Sequence, residues 1–159
     1  MTDQACAGGT SLSQGNAQVT ALPESVVRLA GALLAVGVAA VHVADQGGVT
    51  AFDAPDWIGW GYRLIEAGGV LTALALLLPP ILWLGLTRLR WAAGLLLGAG
   101  PFAAYVVSRT VGMPGDHADI GNWGYWLGTV SLVIEAALTV LCAGMLLALR
   151  PRSSPVSAA

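Results

Sequence analysis

The chain has 159 residues, 56% of them hydrophobic and only 10% charged, with a formal net charge of −2. Soluble domains carry about a quarter charged residues, so this composition excludes an ordinary soluble domain and makes lipid the solvent of the apolar surface. Near-neutrality with dispersed basic residues also excludes nucleic-acid binding, which needs a concentrated basic face.

Residues 1–22, rich in Gly, Ser, Gln and Ala, have neither the basic start nor the apolar run of a cleavable signal peptide, and read as a disordered cytoplasmic tail. Four apolar blocks follow, at 23–44, 57–78, 91–108 and 124–149, each about long enough to cross a bilayer. Pro23-Glu24-Ser25 supplies a helix start, with Arg28 one turn inside it reaching back to headgroups. Gly47 and Gly48 end the first span, and Pro79-Pro80 stops the second by removing two backbone donors. Gly98, Gly100 and Pro101 interrupt the third and predict a kink halfway across. Gly121-Asn122 precedes the fourth as a helix cap, and Arg150-Pro151 closes it. Residues 150–159 read as a second disordered cytoplasmic tail.

The fold class is therefore an all-α membrane protein, a four-transmembrane-helix bundle. WxxW opens both return helices, at Trp57/Trp60 and Trp123/Trp126, so the bundle also reads as two tandem helical hairpins. Gly94-xxx-Gly98 and Gly124-xxx-Gly128 mark close helix contacts, within the chain in preference to between copies.

All 7 basic residues are arginine. Arg28, Arg88, Arg90, Arg150 and Arg152 lie at one set of helix ends, and Asp45, Asp53, Asp56, Asp116 and Asp119 at the other. Arginine-bearing short connections stay inside, so both termini and the 83–90 connection are expected in the cytoplasm of a bacterium, with the span in its inner membrane. The aspartate loops then lie outside. Trp57, Trp60, Trp123 and Trp126 mark the outer interface, Trp83 and Trp91 the inner one. That topology keeps Cys6 and Cys142 apart, and no disulfide is expected.

Glu66 and Glu135 each follow a belt tryptophan by nine residues, which places them roughly 13 Å below the outer interface. A carboxylate at that depth must face the bundle, be protonated or be paired. Read functionally, the two take up a proton or cation from outside. Read structurally, Arg63, three residues before Glu66, neutralises it, whereas Glu135 has no basic neighbour in its own helix. Arg109, at the outer end of the third span, reaches part of the way towards it. His42 and Asp45 share one helix face, and with Asp116 and His117 of the second outer loop they form a candidate divalent-metal set of permissive spacing.

The most distinctive local sequence is Ser108-Arg109-Thr110-Val111-Gly112-Met113-Pro114-Gly115-Asp116, followed by Asp119-Ile120-Gly121-Asn122-Trp123. It resembles an outer-loop segment of small four-helix integral membrane proteins of high-GC bacteria. The resemblance implies a four-helix fold and an inner-membrane location, and transfers no catalytic role. No recognisable catalytic motif is present, which favours a non-enzymatic protein. The leading expectation is a module whose outer face, built from His42, Arg63, Glu66, Arg109 and Glu135, binds a partner protein or small ligand. The alternatives are a small oligomeric proton- or cation-coupled transporter or channel using Glu66 and Glu135, and a metal-binding or redox protein. The implied partners are the lipid bilayer and a second copy or another membrane protein.

Overall fold

The computed structural model describes residues 23–51, 56–79 and 86–150. Within them lie four helices, α1 (Glu24–Asp45), α2 (Asp56–Leu77), α3 (Thr87–Thr110) and α4 (Trp126–Ala148). Among the described residues no strand forms, and one isolated bridge pairs Met113 with Asp116. Three of the helices, α1, α3 and α4, are long and apolar enough to cross a membrane. At 22 residues α2 matches α1 in length, but Arg63 and Glu66 dilute its apolar run. Residues 1–22 with Cys6, residues 151–159, and Asp53, Pro80 and Trp83 lie outside the described residues.

The helices alternate in direction. At one end, Arg28 donates from Nε to the Leu76 carbonyl at 2.7 Å, Arg88 donates to the Leu149 carbonyl at 2.5 Å, and Arg90 pairs with Glu24 at 3.0 Å. The starts of α1 and α3 and the ends of α2 and α4 are thereby gathered together. Arg28 thus satisfies orphan carbonyls at the end of α2, where the sequence had it reaching for headgroups; the last turn of a helix offers a better-aligned acceptor and a favourable dipole. The closest pairings are α1 with α2 and α3 with α4, two helical hairpins joined chiefly by α1 against α4.

Close packing, the available force between helices in lipid, is built on glycine. A methyl group at Gly98 would stand 2.6 Å from Thr139 Oγ1 and 2.8 Å from the Glu135 carbonyl, and one at Gly94 would stand 2.6 Å from Cys142 Sγ. The Gly94-xxx-Gly98 pair is therefore an α3–α4 contact inside the chain. Gly69 does the same for α1 and α2, where a methyl would lie 2.7 Å from the Ala35 carbonyl. The core between these contacts holds Ala35, Val38, Leu76, Trp91, Leu138 and Cys142, while Leu33, Leu64, Leu96, Val133 and Val140 face outward.

Four local expectations are corrected. Helix α3 starts at Thr87, ahead of the expected 91, and runs on through Pro101 to Thr110. Trp91 is fully buried, not at an interface, because Gly31 leaves room for its ring. Helix α4 begins at Trp126 after Tyr125, so Gly121-Asn122 does not cap it and Gly124 precedes it. The two WxxW motifs also occupy different positions, Trp57 inside α2 but Trp123 ahead of α4. Trp57 precedes Glu66 by 9 residues and Trp123 precedes Glu135 by 12, and the shift leaves Glu66 and Glu135 at nearly equal distances from their helix starts.

Candidate functional site

Beyond Thr110 the chain must reverse over the bundle, and glycine makes the reversal possible. Gly112, Gly115 and Gly121 have φ of 81°, 82° and 80°, backbone conformations that side chains with a Cβ disfavour. Pro114-Gly115 sits at the centre of a turn closed by Met113 N–H to Asp116 O at 2.8 Å and Asp116 N–H to Met113 O at 2.9 Å, with the proline–glycine order of a type II turn. Asp116 Oδ1 accepts from Ala118 N–H at 3.1 Å. Gly121 N–H donates to the Arg109 carbonyl at 2.9 Å, and Trp57 Nε1–H donates to the Pro114 carbonyl at 3.2 Å. The loop is tied to the ends of both α2 and α3.

Beneath this loop a cavity of about 350 Å³ opens between the loop-side ends of the four helices. Its floor is Pro101, Ser131 and Glu135, its walls include His42, Asp45, Tyr62 and Tyr105, and its rim carries Arg109, Asp116 and Asp119. Glu135 is 1% exposed. Its Oε1 accepts from Ser131 Oγ–H at 2.6 Å and lies 3.6 Å from His42 Nε2, while its Oε2 accepts no hydrogen bond from the described residues. His42 Nδ1 lies 2.9 Å from the Val38 carbonyl. A carbonyl only accepts, so Nδ1 carries a hydrogen and a neutral His42 turns a bare Nε2 towards Glu135.

One turn along, Asp45 Oδ2 accepts from Tyr62 Oη–H at 2.6 Å, and the Tyr125 phenol lies close to the same carboxylate. The Asp45 hydrogen bond, then desolvation and the carboxylate charge, push the Tyr125 phenol up to about 12. Arg109 stacks over the Tyr105 ring at 4.5 Å and forms an ion pair with Asp119 at the rim. Tyr62 and His42 also pack ring against ring, their centroids 5.6 Å apart.

The predicted site residues divide into two groups. His42, Asp45, Arg109, Asp116 and Glu135 line the cavity; Arg63 and Glu66 are not among its walls. Arg63 donates to Glu66 Oε2 at 2.6 Å, Gln46 Nε2–H donates to Glu66 Oε1 at 2.5 Å, and Arg63 also reaches the Ala51 carbonyl. Both oxygens of Glu66 are occupied, and the network joins α2 to the end of α1. His117 is exposed and packs beside Gly112, away from His42. Among the described residues no three His, Cys, Asp or Glu side chains gather as a metal site, so His42, Asp45, Asp116 and His117 do not converge as a ligand set. Asp116, His42 and Asp45 share the cavity, but the last two are turned to Glu135 and to tyrosines.

Sequence reasoning missed the aromatic and hydroxyl groups of the site: Trp57, Tyr62, Tyr105, Tyr125 and Ser131. A signal existed for Ser131, which is four residues before Glu135 and so faces the same way on a helix. The three tyrosines gave none, since phenols near helix ends ordinarily sit at the lipid–water boundary. No protein-family model, curated protein or solved structure matches the chain.

Proposed function

We propose that the chain is a four-span protein of a bacterial inner membrane, with both termini in the cytoplasm, and that it binds a small ligand in the cavity at its outer end. The observation that carries this reading is the cavity itself. Its volume of about 350 Å³ falls within the range of about 300–1,000 Å³ occupied by small-molecule sites, and its wall mixes aromatic and aliphatic surface with a few fixed polar groups, as such sites do. Support for the fourth span comes from Arg63 and Glu66, whose pairing at 2.6 Å lowers the cost of carrying both through lipid. Support for the orientation comes from Arg28, Arg88 and Arg90 meeting at one end and the aspartate-bearing loop closing the other. Binding is favoured over catalysis because the polar groups are bonded to one another: Asp45 to Tyr62, Arg109 to Asp119, and Ser131 to Glu135.

The test uses Ser108→Cys in a Cys6→Ser background, reconstituted in vesicles of known orientation. An impermeant thiol reagent applied outside is expected to modify position 108, and at least one class among small aromatic amines, alcohols and acids is expected to slow the modification. Labelling from the cytoplasmic face alone, or no protection by any of these compounds, would overturn the reading.

A second reading, proton- or cation-coupled transport, is favoured by the burial of Glu135 at the floor of an open cavity. Glu66, held by Arg63 and Gln46, has no part in that version. Replacing Glu135 by Gln would stop uptake, and replacing Glu66 would not.

A further inference from the structure

Glu135 is buried beside His42, and the polar contacts of the two favour a proton held between them. With Nδ1–H directed at the Val38 carbonyl, Nε2 of a neutral His42 and Oε1 of an ionised Glu135 would present lone pairs to each other at 3.6 Å. One proton therefore belongs to the pair, on Nε2 or on the carboxyl group. Without it, a carboxylate 1% exposed would be left uncompensated in the core, at large cost. Ser131 supplies one hydrogen bond to Oε1, and Oε2, buried within a residue that lines the cavity, has no donor among the described residues.

The charges around the pair are unequal in sign. Asp45 from α1 and Asp116 and Asp119 from the loop are acidic, Tyr62, Tyr105 and Tyr125 are phenols, and Arg109 is the basic group, already paired with Asp119. A cavity so lined repels carboxylates and attracts cations. An engineered cavity of about 150 Å³ takes up benzene, so about 350 Å³ has room for an aromatic ring with a short aminoalkyl arm. Trp57 and Tyr62 line the cavity, and aromatic rings attract cations as well as other rings.

We propose that the ligand is a protonated amine of this size, and that it enters in exchange for the proton of the His42–Glu135 pair. This rests on the small-ligand reading of the cavity. The ammonium N–H hydrogen-bonds to the Glu135 carboxylate, which turns to meet it, the proton shared by the pair leaves through the open mouth to water, and His42 stays neutral. One positive charge enters as one leaves. The buried charge is unchanged, so the site avoids holding an ammonium beside an imidazolium.

The experiment measures binding of phenethylammonium, phenethyl alcohol and hydrocinnamate to the full chain in nanodiscs by calorimetry at neutral pH, in two buffers of different ionisation enthalpy. We expect the amine to bind about tenfold or more tightly than the alcohol, as charge-assisted hydrogen bonding implies, and to release about one proton per molecule bound. Glu135→Gln should abolish that preference and the proton release while leaving weak alcohol binding, which shows that the variant has folded. Equal binding of all three compounds would overturn the amine assignment and leave the small-ligand reading standing. Amine binding without proton release would overturn the exchange. No binding of any compound would overturn the inference together with the reading beneath it.

Discussion

His42 joins α1 to α4 through Glu135, its Nε2 3.6 Å from Oε1 while Nδ1 is anchored 2.9 Å from the Val38 carbonyl of its own helix. This contact crosses between the two hairpins. Removing one member strands the other in the core, a penalty of about 1–3 kcal/mol for a buried polar group and more for a charge. His42→Phe is therefore expected to lower stability by at least that amount. Adding Glu135→Leu should recover part of the loss, since an apolar pair of similar volume leaves only the Ser131 hydroxyl to find another acceptor. Unfolding of the single and double variants in mixed micelles measures the coupling, and a double variant less stable than His42→Phe would refute the pairing.

The glycines of α3 separate a packing role from a flexible one. Gly98→Ala would place its methyl 2.6 Å from Thr139 Oγ1 and 2.8 Å from a backbone oxygen of α4, whereas Gly100 has open space where its methyl would go. Over-packing costs about 1–3 kcal/mol, so Gly98→Ala should destabilise by about that much. Gly100→Ala should be neutral or slightly stabilising, because it removes backbone freedom from the unfolded chain. Thermal melting in detergent distinguishes the two, and equal effects would show that the α3–α4 contact is looser than described.

Much of the helix layout was legible because apolar block length and glycine–proline stops are local properties. Gly47 and Gly48, with φ of 87° and 127°, end α1 as their sequence indicates, and Pro79 follows the last turn of α2. The ends of α3 and α4 were less legible. Arg88 and Arg90 look like a solvated boundary in sequence, yet their side chains are drawn to the Leu149 carbonyl and to Glu24, which lets the helix begin ahead of them. For the site, Glu66 and Glu135 are indistinguishable by depth. What divides them is the identity of neighbours on other helices: Gln46 comes to Glu66 and His42 to Glu135. Such long-range pairings leave no mark in local spacing.

Tyr125 carries a pH dependence of definite sign. Its phenol is raised from 10 to about 12, first by the hydrogen bond to Asp45. Folding therefore favours the protonated phenol. The stabilisation is fully present below pH 10 and is lost as pH rises through about 12. An ultraviolet titration of phenolate absorbance should show a late-ionising tyrosine that Tyr125→Phe removes. Asp45→Asn takes away the charged acceptor and should bring that component down towards 10. If Asp45→Asn leaves the late component in place, another group holds the phenol.

The orientation in the membrane can be read with the chain's own thiols. Cys142 is 0% exposed, packed where α3 and α4 meet at Gly94, and should resist polar reagents in the folded protein. Cys6, in the N-terminal tail, is then the reactive thiol. With that tail in the cytoplasm, an impermeant maleimide should leave intact cells unlabelled and modify the protein in inverted vesicles. Ala118→Cys, at an exposed position of the loop over the cavity, should reverse the pattern in a Cys6→Ser background. Both probes reacting from the same side would break the link between the arginine-bearing end and the cytoplasm. It would also remove the basis for placing the His42–Glu135 cavity at the outer face.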